Sequence, residues 1–230
     1  MLVKNWMSKK VVTIDVEDSM SHAVRLLKEH QVRMLPVLKK GKLVGVVSDS
    51  DIKRASASDA TTLDVHELLY LISKVKVKDI MSKDPITVPP DYTVEETAEV
   101  LMQHKISGVP VVDRGGDVVG IITRDDLFNV LISLSGLGKR GIQFAFKLED
   151  KPGSIKELTD IIRRHGGRIA SILGSYARVP AGFRVVYMRA YDLKREEMPQ
   201  IIEELNRKAL ILYMVDHRDD KRQIFHDLGE

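Results

Sequence analysis

The sequence predicts an α+β protein in two unequal parts, a duplicated β-α-β-β-α unit and a single β-α-β-β-α-β unit. The first part is indicated by a repeat, in which residues 3–13 recur as residues 77–87 with an offset of 74. Because only two copies are present, the repeat favours a pseudo-twofold pair with two related clefts over a solenoid. The second part is indicated by a new pattern from Ile142, where apolar and polar residues alternate as in a half-buried strand.

The composition excludes several classes of protein. The 230 residues include 36 Lys+Arg and 33 Asp+Glu, so the chain lacks the basic excess that indicates nucleic-acid binding. No apolar run is long enough to span a bilayer, and the amino terminus lacks the apolar core of a signal peptide. The absence of cysteine excludes disulfides and cysteine zinc sites and fits a reducing compartment. We expect a cytoplasmic protein without nucleic-acid or membrane partners.

Each copy of the repeat predicts the same elements. A short strand leads into a helix that begins near Ser19 or Thr93, where Thr93 and Glu96 form a capping box. Two short strands joined by a Gly turn follow, and a last helix begins at Asp49 or Arg124. The predicted strands are residues 11–16, 35–38 and 43–47 in the first copy, and 86–88, 109–112 and 118–122 in the second.

The rest of the chain contains two linkers and the second unit. A polar loop at residues 55–62 leads into an amphipathic helix over about residues 64–73, and a Gly-rich stretch at residues 135–141 marks the next boundary. In the second unit a capping box at Ser154 and Glu157 begins a helix, and a hairpin turn lies at residues 180–182. The predicted order is ferredoxin-like, with strands at 142–148, 168–179, 183–190 and 209–215 and helices at 155–165 and 198–205.

The doubled unit resembles a pair of CBS domains, also called a Bateman module. The residues that carry the resemblance are Met7-Ser8 with Met81-Ser82, Pro36-Val37 with Pro110-Val111, and residues 45–52 with 120–127. The last part looks like an ACT domain, with residues 150–155 at the ligand-loop motif, and the whole order is similar to that of acetoin-utilisation accessory proteins. The domains expected are residues 1–60 (CBS 1), 61–76 (linker), 77–134 (CBS 2), 135–141 (linker), 142–216 (ACT) and 217–230 (charged tail).

Two Ser/Thr-x-x-Asp elements, Ser48 with Asp51 and Thr123 with Asp126, are the sharpest candidates for a site. The pattern alone favours a capping box. The same hydroxyls and helix amides can also hold a phosphate, with the carboxylate on the ribose hydroxyls. Resemblance to CBS pairs, which commonly bind adenosine compounds, favours the second interpretation and implies AMP, ADP or ATP as a regulatory ligand.

The resemblance also implies apolar walls for a purine, although core packing is the better interpretation for most single side chains. The two clefts differ: Arg33-Met34 replaces Ser107-Gly108, and Lys53-Arg54 replaces Phe128-Asn129. We expect more positive charge for a polyphosphate in the first cleft and more room in the second. The predicted nucleotide-binding residues are Thr13, Ile14, Leu35, Pro36, Ser48, Asp51, Arg54, Thr87, Val88, Val109, Pro110, Thr123, Arg124 and Asp126.

A candidate ligand loop lies in the ACT-like part. Gly153 would let a backbone approach a ligand closely, and the amides that follow could hold a carboxylate. A plain loop-to-helix turn explains the same residues equally well. Arg168 stands where many amino-acid-binding members carry a short polar residue, which argues against an amino acid. The candidate loop comprises Asp150, Pro152, Gly153, Ser154 and Ile155.

No catalytic pattern is present in the sequence. It contains no Ser-His-Asp arrangement, P-loop or HExxH motif, so we expect no catalytic residue, metal or catalytic cofactor. The hypothesis is a non-catalytic sensor in which a nucleotide-binding CBS pair is coupled to an ACT domain or a regulated partner protein, in a homodimer. The alternatives are a ligand-free interaction or dimerisation scaffold and an amino-acid sensor that acts through the ACT domain.

Overall fold

The structure is a computed structural model that describes residues 1–59 and 74–227, with side chains left out of the description at residues 56–59. The predicted amphipathic helix at residues 64–73 therefore lies outside the described residues. Contacts divide the chain into two units, Met1–Phe128 and Asn129–Glu230. Within the described ranges, no helix combines the length and the apolar character that crossing a bilayer requires.

The first copy of the repeat forms a small sheet with two helices. Strand β1 (Ile14–Asp15) runs parallel to β2 (Met34–Lys39), which pairs antiparallel with β3 (Lys42–Ser48). Helix α1 (Met20–Glu29) begins after Ser19, whose Oγ accepts a hydrogen bond from the His22 amide at 3.2 Å, and α2 (Asp49–Asp59) follows β3 directly. The core of this copy includes Ala23, Leu27, Leu35, Val37 and Val47.

The second copy repeats this order after a short helix, α3 (Val77–Ile80), and a short strand, β4 (Ser82–Lys83). Helix α4 (Val94–Gln103) precedes the antiparallel strands β5 (Gly108–Val112) and β6 (Val118–Thr123), and α5 (Arg124–Leu134) ends the copy. The predicted capping box of α4 is confirmed, because Thr93 Oγ1 accepts from the Glu96 amide at 3.1 Å and Glu96 accepts from the Thr93 amide at 2.7 Å.

The predicted strand at residues 86–88 is wrong. Only Val88 pairs there, in an isolated parallel bridge to Val111. Two prolines, Pro89 and Pro90, follow immediately and have no amide to donate, so the pairing does not continue past Val88.

The start of each copy pairs with the sheet of the other copy. Ser82 in β4 pairs with Val46 in β3, and the equivalent Ser8 bridges Ile121 in β6. We call residues 1–10 and 75–84 the arms. Val3 from the first arm lies in the core of the second copy and Val77 from the second arm in the core of the first. The two copies are therefore joined by a reciprocal exchange of arms.

Two equivalent glycines make this exchange sterically feasible. A Cβ at Gly45 would lie 2.7 Å from Met81 Sδ and 2.9 Å from the Ser82 carbonyl oxygen. A Cβ at Gly120 would collide with the thioether of Met7. The repeated Met-Ser and Gly motifs are thus partners, since each methionine packs on the glycine of the other copy.

The second unit is a five-stranded antiparallel sheet with two helices on one face. Phe144, Phe146 and Met188 of the sheet pack against Leu158 and Ile201 of the helices. The predicted β-α-β-β-α-β order is present, as β7 (Ile142–Glu149), α6 (Ser154–Arg164), β8 (Arg168–Ser175), β9 (Phe183–Tyr191), α7 (Met198–Asn206) and β10 (Leu210–Asp216), with β11 (Lys221–Ile224) added. In the sheet the strands lie in the order β11-β10-β7-β9-β8.

One prediction for this unit is wrong, and one segment contains a strand that the sequence did not predict. The predicted Ser154–Glu157 capping box is absent, because Gly153, at φ 87°, occupies the N-cap and Ser154 Oγ donates to the Lys151 carbonyl at 3.0 Å. Part of the predicted charged tail at residues 217–230 is the strand β11, which pairs antiparallel with β10. Its four residues are all exposed, and charged side chains are usual on an edge strand.

The predicted linker at residues 135–141 is fastened to the sheet of the second unit. Arg189, only 3% exposed, donates from Nε to the Ser135 carbonyl at 2.8 Å and from Nη1 to the Arg140 carbonyl at 3.1 Å. Its Nη2 donates to Gln143 Oε1 at 2.9 Å, and Ser171 Oγ donates to the same Ser135 carbonyl at 2.7 Å. Burial lowers the pKa of the Arg189 guanidinium, and these acceptors stabilise its charge.

Candidate functional site

Both Ser/Thr-x-x-Asp elements form capping boxes at the start of a helix. In the first copy, Asp51 Oδ2 accepts from the Ser48 hydroxyl at 2.6 Å and from the Ser48 amide at 2.9 Å. In the second, Asp126 Oδ2 accepts from the Thr123 hydroxyl at 2.7 Å and from the Thr123 amide at 2.8 Å. The capping interpretation therefore holds in both copies, and it leaves Oδ1 of each aspartate available.

The copies differ at this remaining oxygen. Asp51 Oδ1 lies 3.6 Å from Arg54 Nη2, and the Asp51 side chain is only 6% exposed. Asp126 is partly exposed, and within residues 1–59 and 74–227 its Oδ1 makes no hydrogen bond or ion pair. The position that matches Arg54 holds Asn129, whose side chain carries no charge.

A cleft of about 370 Å³ lies beside Thr123 and Asp126. Residues from both copies line it, so the pseudo-twofold pair builds this cleft jointly. The first arm contributes Ser8 and Lys10, and Phe128, 60% exposed, presents an aromatic side chain. The other lining residues are Val12, Gln31, Val32, Arg33, Met34, Ser107, Gly108, Ile121, Arg124 and Asp125.

The cleft has a slight cationic excess. Lys10, Arg33 and Arg124 stand against the carboxylates of Asp125 and Asp126. Arg33 Nη1 lies 4.0 Å from Asp125 Oδ2, and both side chains are largely exposed, so this ion pair is weak and screened. The cations are therefore accessible to an anionic group, and the amides at the start of α5 add a favourable dipole.

Most of the predicted apolar walls do not line this cleft. Ile14, Leu35, Val88 and Val109 are at most 3% exposed and belong to the two cores. Pro36 and Pro110 are also buried, while Thr13 and Thr87 are exposed but do not line this cleft. The buried positions among them therefore fit the core interpretation, whereas Thr13 and Thr87 do not.

The residues that do line the cleft are next to the predicted ones in the sequence. Val12, Met34 and Gly108 line it, each one or two positions before a predicted residue. Neighbouring residues of a strand face opposite sides, so a shift of one position separates cleft from core. Gly108 is packed closely, since a Cβ there would lie 3.0 Å from Thr123 Cγ2 and 3.3 Å from Met34 Cε. Sequence reasoning also missed Ser8 and Lys10, although Ser8 belongs to the repeated Met-Ser-Lys motif and Lys10 follows directly after it.

The candidate loop of the second unit is only partly assembled. A nearby cavity of about 460 Å³ is lined by Ser154, but by none of Asp150, Pro152, Gly153 or Ile155. Asp150 pairs instead with Arg184, at 3.4 Å between Oδ1 and Nε, and Ile155 packs on the core. Nothing lies within 4 Å of a Cβ built on Gly153, so its positive φ, rather than a close approach, requires glycine.

No metal site stands out in the part of the chain that the structure describes. There, no three histidine or acidic side chains converge in a way that could hold an ion. His217 lies near Arg189 and Arg222, and its pKa is lowered chiefly by burial and then by these cations.

Comparison with known proteins identifies the repeat. The family profile described as the CBS domain matches residues 3–58 and again residues 77–133. A CBS domain-containing protein of Dictyostelium discoideum is 31% identical over 134 residues, which cover 58% of this chain and 92% of that protein. An inosine-5′-monophosphate dehydrogenase of Korarchaeum cryptofilum is 35% identical over 125 residues, 54% of this chain but only 23% of the enzyme.

Solved structures match the same fold. The CBS domain pair of protein MJ0100, in complex with 5′-methylthioadenosine and S-adenosyl-L-methionine, has a TM-score of 0.50 and 32% identity. That match covers 57% of this chain and 99% of MJ0100's pair. A protein assigned to acetoin utilization (AcuB) from Vibrio cholerae has a TM-score of 0.50 and 26% identity, over 60% of this chain and 96% of that one.

Proposed function

The chain belongs to the CBS domain family, and from this we propose that it is a non-catalytic sensor that binds an adenine nucleotide between its two CBS copies. The observation that carries the proposal is Asp126, which lines a cleft of about 370 Å³ and whose Oδ1 is unengaged by the described residues. The related pair of MJ0100 is described in complex with two adenosine compounds, 5′-methylthioadenosine and S-adenosyl-L-methionine.

Each part of a nucleotide has a matching group in the cleft. The Asp126 carboxylate can accept hydrogen bonds from both ribose hydroxyls while its Oδ2 keeps the helix cap. The exposed ring of Phe128 offers a surface on which a purine can stack. Lys10, Arg33 and Arg124 can bind phosphate, which distinguishes AMP, ADP and ATP from the cationic sulfonium of S-adenosylmethionine.

The ribose assignment is tested by calorimetry with AMP and with 2′,3′-dideoxy-AMP, which lacks both hydroxyls. We expect the wild type to bind AMP more tightly by about 1–3 kcal/mol, the contribution of charge-assisted hydrogen bonds. In Asp126→Ala both ligands should bind equally weakly. If Asp126→Ala still prefers AMP by the wild-type margin, the carboxylate does not hold the ribose.

The regulatory mechanism that we propose is linkage. A nucleotide that binds one arrangement of the CBS pair more tightly shifts the pair toward it, by at most the difference in binding free energy. Thermal unfolding with AMP, ADP, ATP and S-adenosylmethionine shows which of these compounds the folded chain binds, since a ligand at about 100 times its dissociation constant stabilises by roughly 2.7 kcal/mol. A protein that no adenosine compound stabilises would instead be an interaction scaffold.

We propose that residues 142–216 of the second unit are an ACT domain, and the predicted domain boundaries remain part of this proposal. Its support is the β-α-β-β-α-β order and a sheet that packs both helices on one face. Arg168, at the position that argues against an amino-acid ligand, lies 5.3 Å from the centroid of the Tyr191 ring and so helps to pack the sheet. Association into a homodimer, a regulated partner protein and a cytoplasmic location remain predictions.

A further inference from the structure

We propose that only the second cleft binds the adenosine ligand, because Arg54 engages the equivalent carboxylate in the first copy. This inference rests on the proposed function and specifies its stoichiometry at one ligand per chain. Two observations support it. In the first copy Asp51 Oδ1 lies 3.6 Å from Arg54 Nη2. In the second copy Asp126 Oδ1 has no such partner among the described residues.

The first difference between the copies is access. The Asp51 side chain is 6% exposed, and its second oxygen already faces a cation. A ribose would have to displace the guanidinium and reach a buried oxygen. Asp126 is partly exposed and borders the cleft, and Asn129 in place of Arg54 cannot form the ion pair.

The second difference is the surface for the purine. Phe128 lines the second cleft and is 60% exposed. The equivalent position in the first copy is Lys53, whose hydrated ammonium offers no ring for stacking. Both differences lie on equivalent turns of α2 and α5 and both favour the second copy, so together they assign ribose and purine recognition to one side of the pseudo-twofold axis.

The test is calorimetry of the full chain with AMP, repeated with 5′-methylthioadenosine as a phosphate-free probe. The wild type should bind one ligand per chain. Asn129→Arg recreates the arginine of the first copy beside Asp126 and should weaken both probes about 10-fold or more, the equivalent of about 1.4 kcal/mol. Gln103→Arg adds the same charge to the exposed end of α4 and should leave affinity unchanged. The double variant Lys53→Phe/Arg54→Asn removes both differences from the first copy and should raise the stoichiometry toward two.

The outcomes separate this inference from the proposed function. Two equal sites in the wild type, wild-type affinity in Asn129→Arg, or a stoichiometry still at one in Lys53→Phe/Arg54→Asn would each overturn the assignment to one cleft while leaving a nucleotide sensor. Absence of binding by the wild type to AMP, ATP and 5′-methylthioadenosine would overturn the proposed function and this inference with it. Circular dichroism of each variant verifies that it is folded.

Discussion

Gly120 has no room for a side chain, because the thioether of Met7 from the exchanged arm lies against it. We expect Gly120→Ala to lower the free energy of unfolding by about 1–3 kcal/mol, the usual cost of overpacking a core. Denaturant unfolding measures the loss. In a Met7→Ala background the same change should cost clearly less, because the colliding atoms are gone.

The matched control for this change is Gly174→Ala in β8, where nothing lies within 4 Å of a built Cβ. It should shift the free energy of unfolding by no more than about 0.5 kcal/mol. An equal loss for Gly120→Ala with and without Met7 would show that the arm does not pack as described.

His165 joins the end of α6 to the segment before and within α7. Its Nδ1 lies 2.7 Å from Glu197 Oε2 and its Nε2 lies 3.2 Å from Glu204 Oε1. The hydrogen bond to Glu197 is the largest cause that raises the pKa of His165, burial opposes it, and Glu204 adds to it. The pKa values of Glu197 and Glu204 are lowered, in each case chiefly by the hydrogen bond to His165.

These shifts predict the pH dependence of stability. Because the pKa of His165 is raised in the folded state, the stabilisation that it gives is fully present below the unfolded pKa of 6.5. This stabilisation is lost as the pH rises through the folded pKa. Because the pKa values of Glu197 and Glu204 are lowered, the stabilisation that these carboxylates give is present above the unfolded pKa of 4.5. It is lost as the pH falls through their folded pKa values. We therefore expect the free energy of unfolding at pH 5.5, taken relative to that at pH 8.5, to be lower for His165→Gln than for the wild type. His30→Gln serves as the control. A difference in free energy of unfolding between pH 5.5 and pH 8.5 that is the same in His165→Gln as in the wild type would contradict this account.

At the scale of elements, the segment between α5 and β7 depends on Arg189. Lysine cannot span the Ser135 and Arg140 carbonyls and Gln143 at once, because it has one ammonium group where arginine has a planar fork. Arg189→Lys should lower the free energy of unfolding by about 1–3 kcal/mol. Trypsin should then cut faster after Lys139 and Arg140.

Arg168→Lys is the control for this prediction, since Arg168 contacts the Tyr191 ring and does not hold the segment. It should leave cleavage after Lys139 and Arg140 at the wild-type rate. Equal cleavage of the wild type and Arg189→Lys would show that Arg189 does not fasten the segment.

The order of helices and strands could be predicted from the sequence because it depends on local periodicity and capping. Helix starts at Ser19, Thr93, Asp49 and Arg124 are confirmed. The pairing of the arms could not be predicted, because periodicity does not specify which sheet a two-residue strand joins. The strand β11 was missed for a related reason, since its four exposed residues show no alternation.

The candidate site was predicted in part. The capping residues Thr123 and Asp126 have a local pattern and were found. The cleft walls depend on which face of a strand turns outward, and Leu35 and Val109 were chosen where Met34 and Gly108 line the cleft. Such one-residue shifts need the tertiary packing, because both neighbours are compatible with a short buried strand.

At the scale of the whole molecule, we still predict that the chain associates into a homodimer. Apolar residues outside the cleft stay exposed on α5, with Leu131, Ile132 and Leu134 at 40–57% exposure. Large exposed apolar surfaces commonly mark an interface. Light scattering at micromolar concentration should give about twice the chain mass of 25.9 kDa.

A truncation that ends near Gly138 should still associate, though more weakly, if both parts of the chain contribute. Its mass is measured in the same way. A monomeric full-length chain throughout the micromolar range would contradict the dimer and any coupling through it.

Because the two arms are exchanged, neither copy of the repeat is complete on its own. A chain cut between residues 59 and 74 would yield halves in which Val3 and Val77 each belong to the other half's core. Two copies of a single half could complete each other by the same exchange, as a domain-swapped dimer does. Gene duplication and fusion of a one-repeat ancestor would preserve this geometry and convert an intermolecular contact into an intramolecular one. Such a fusion would leave the two halves free to differ, as they do at Arg54 and Asn129.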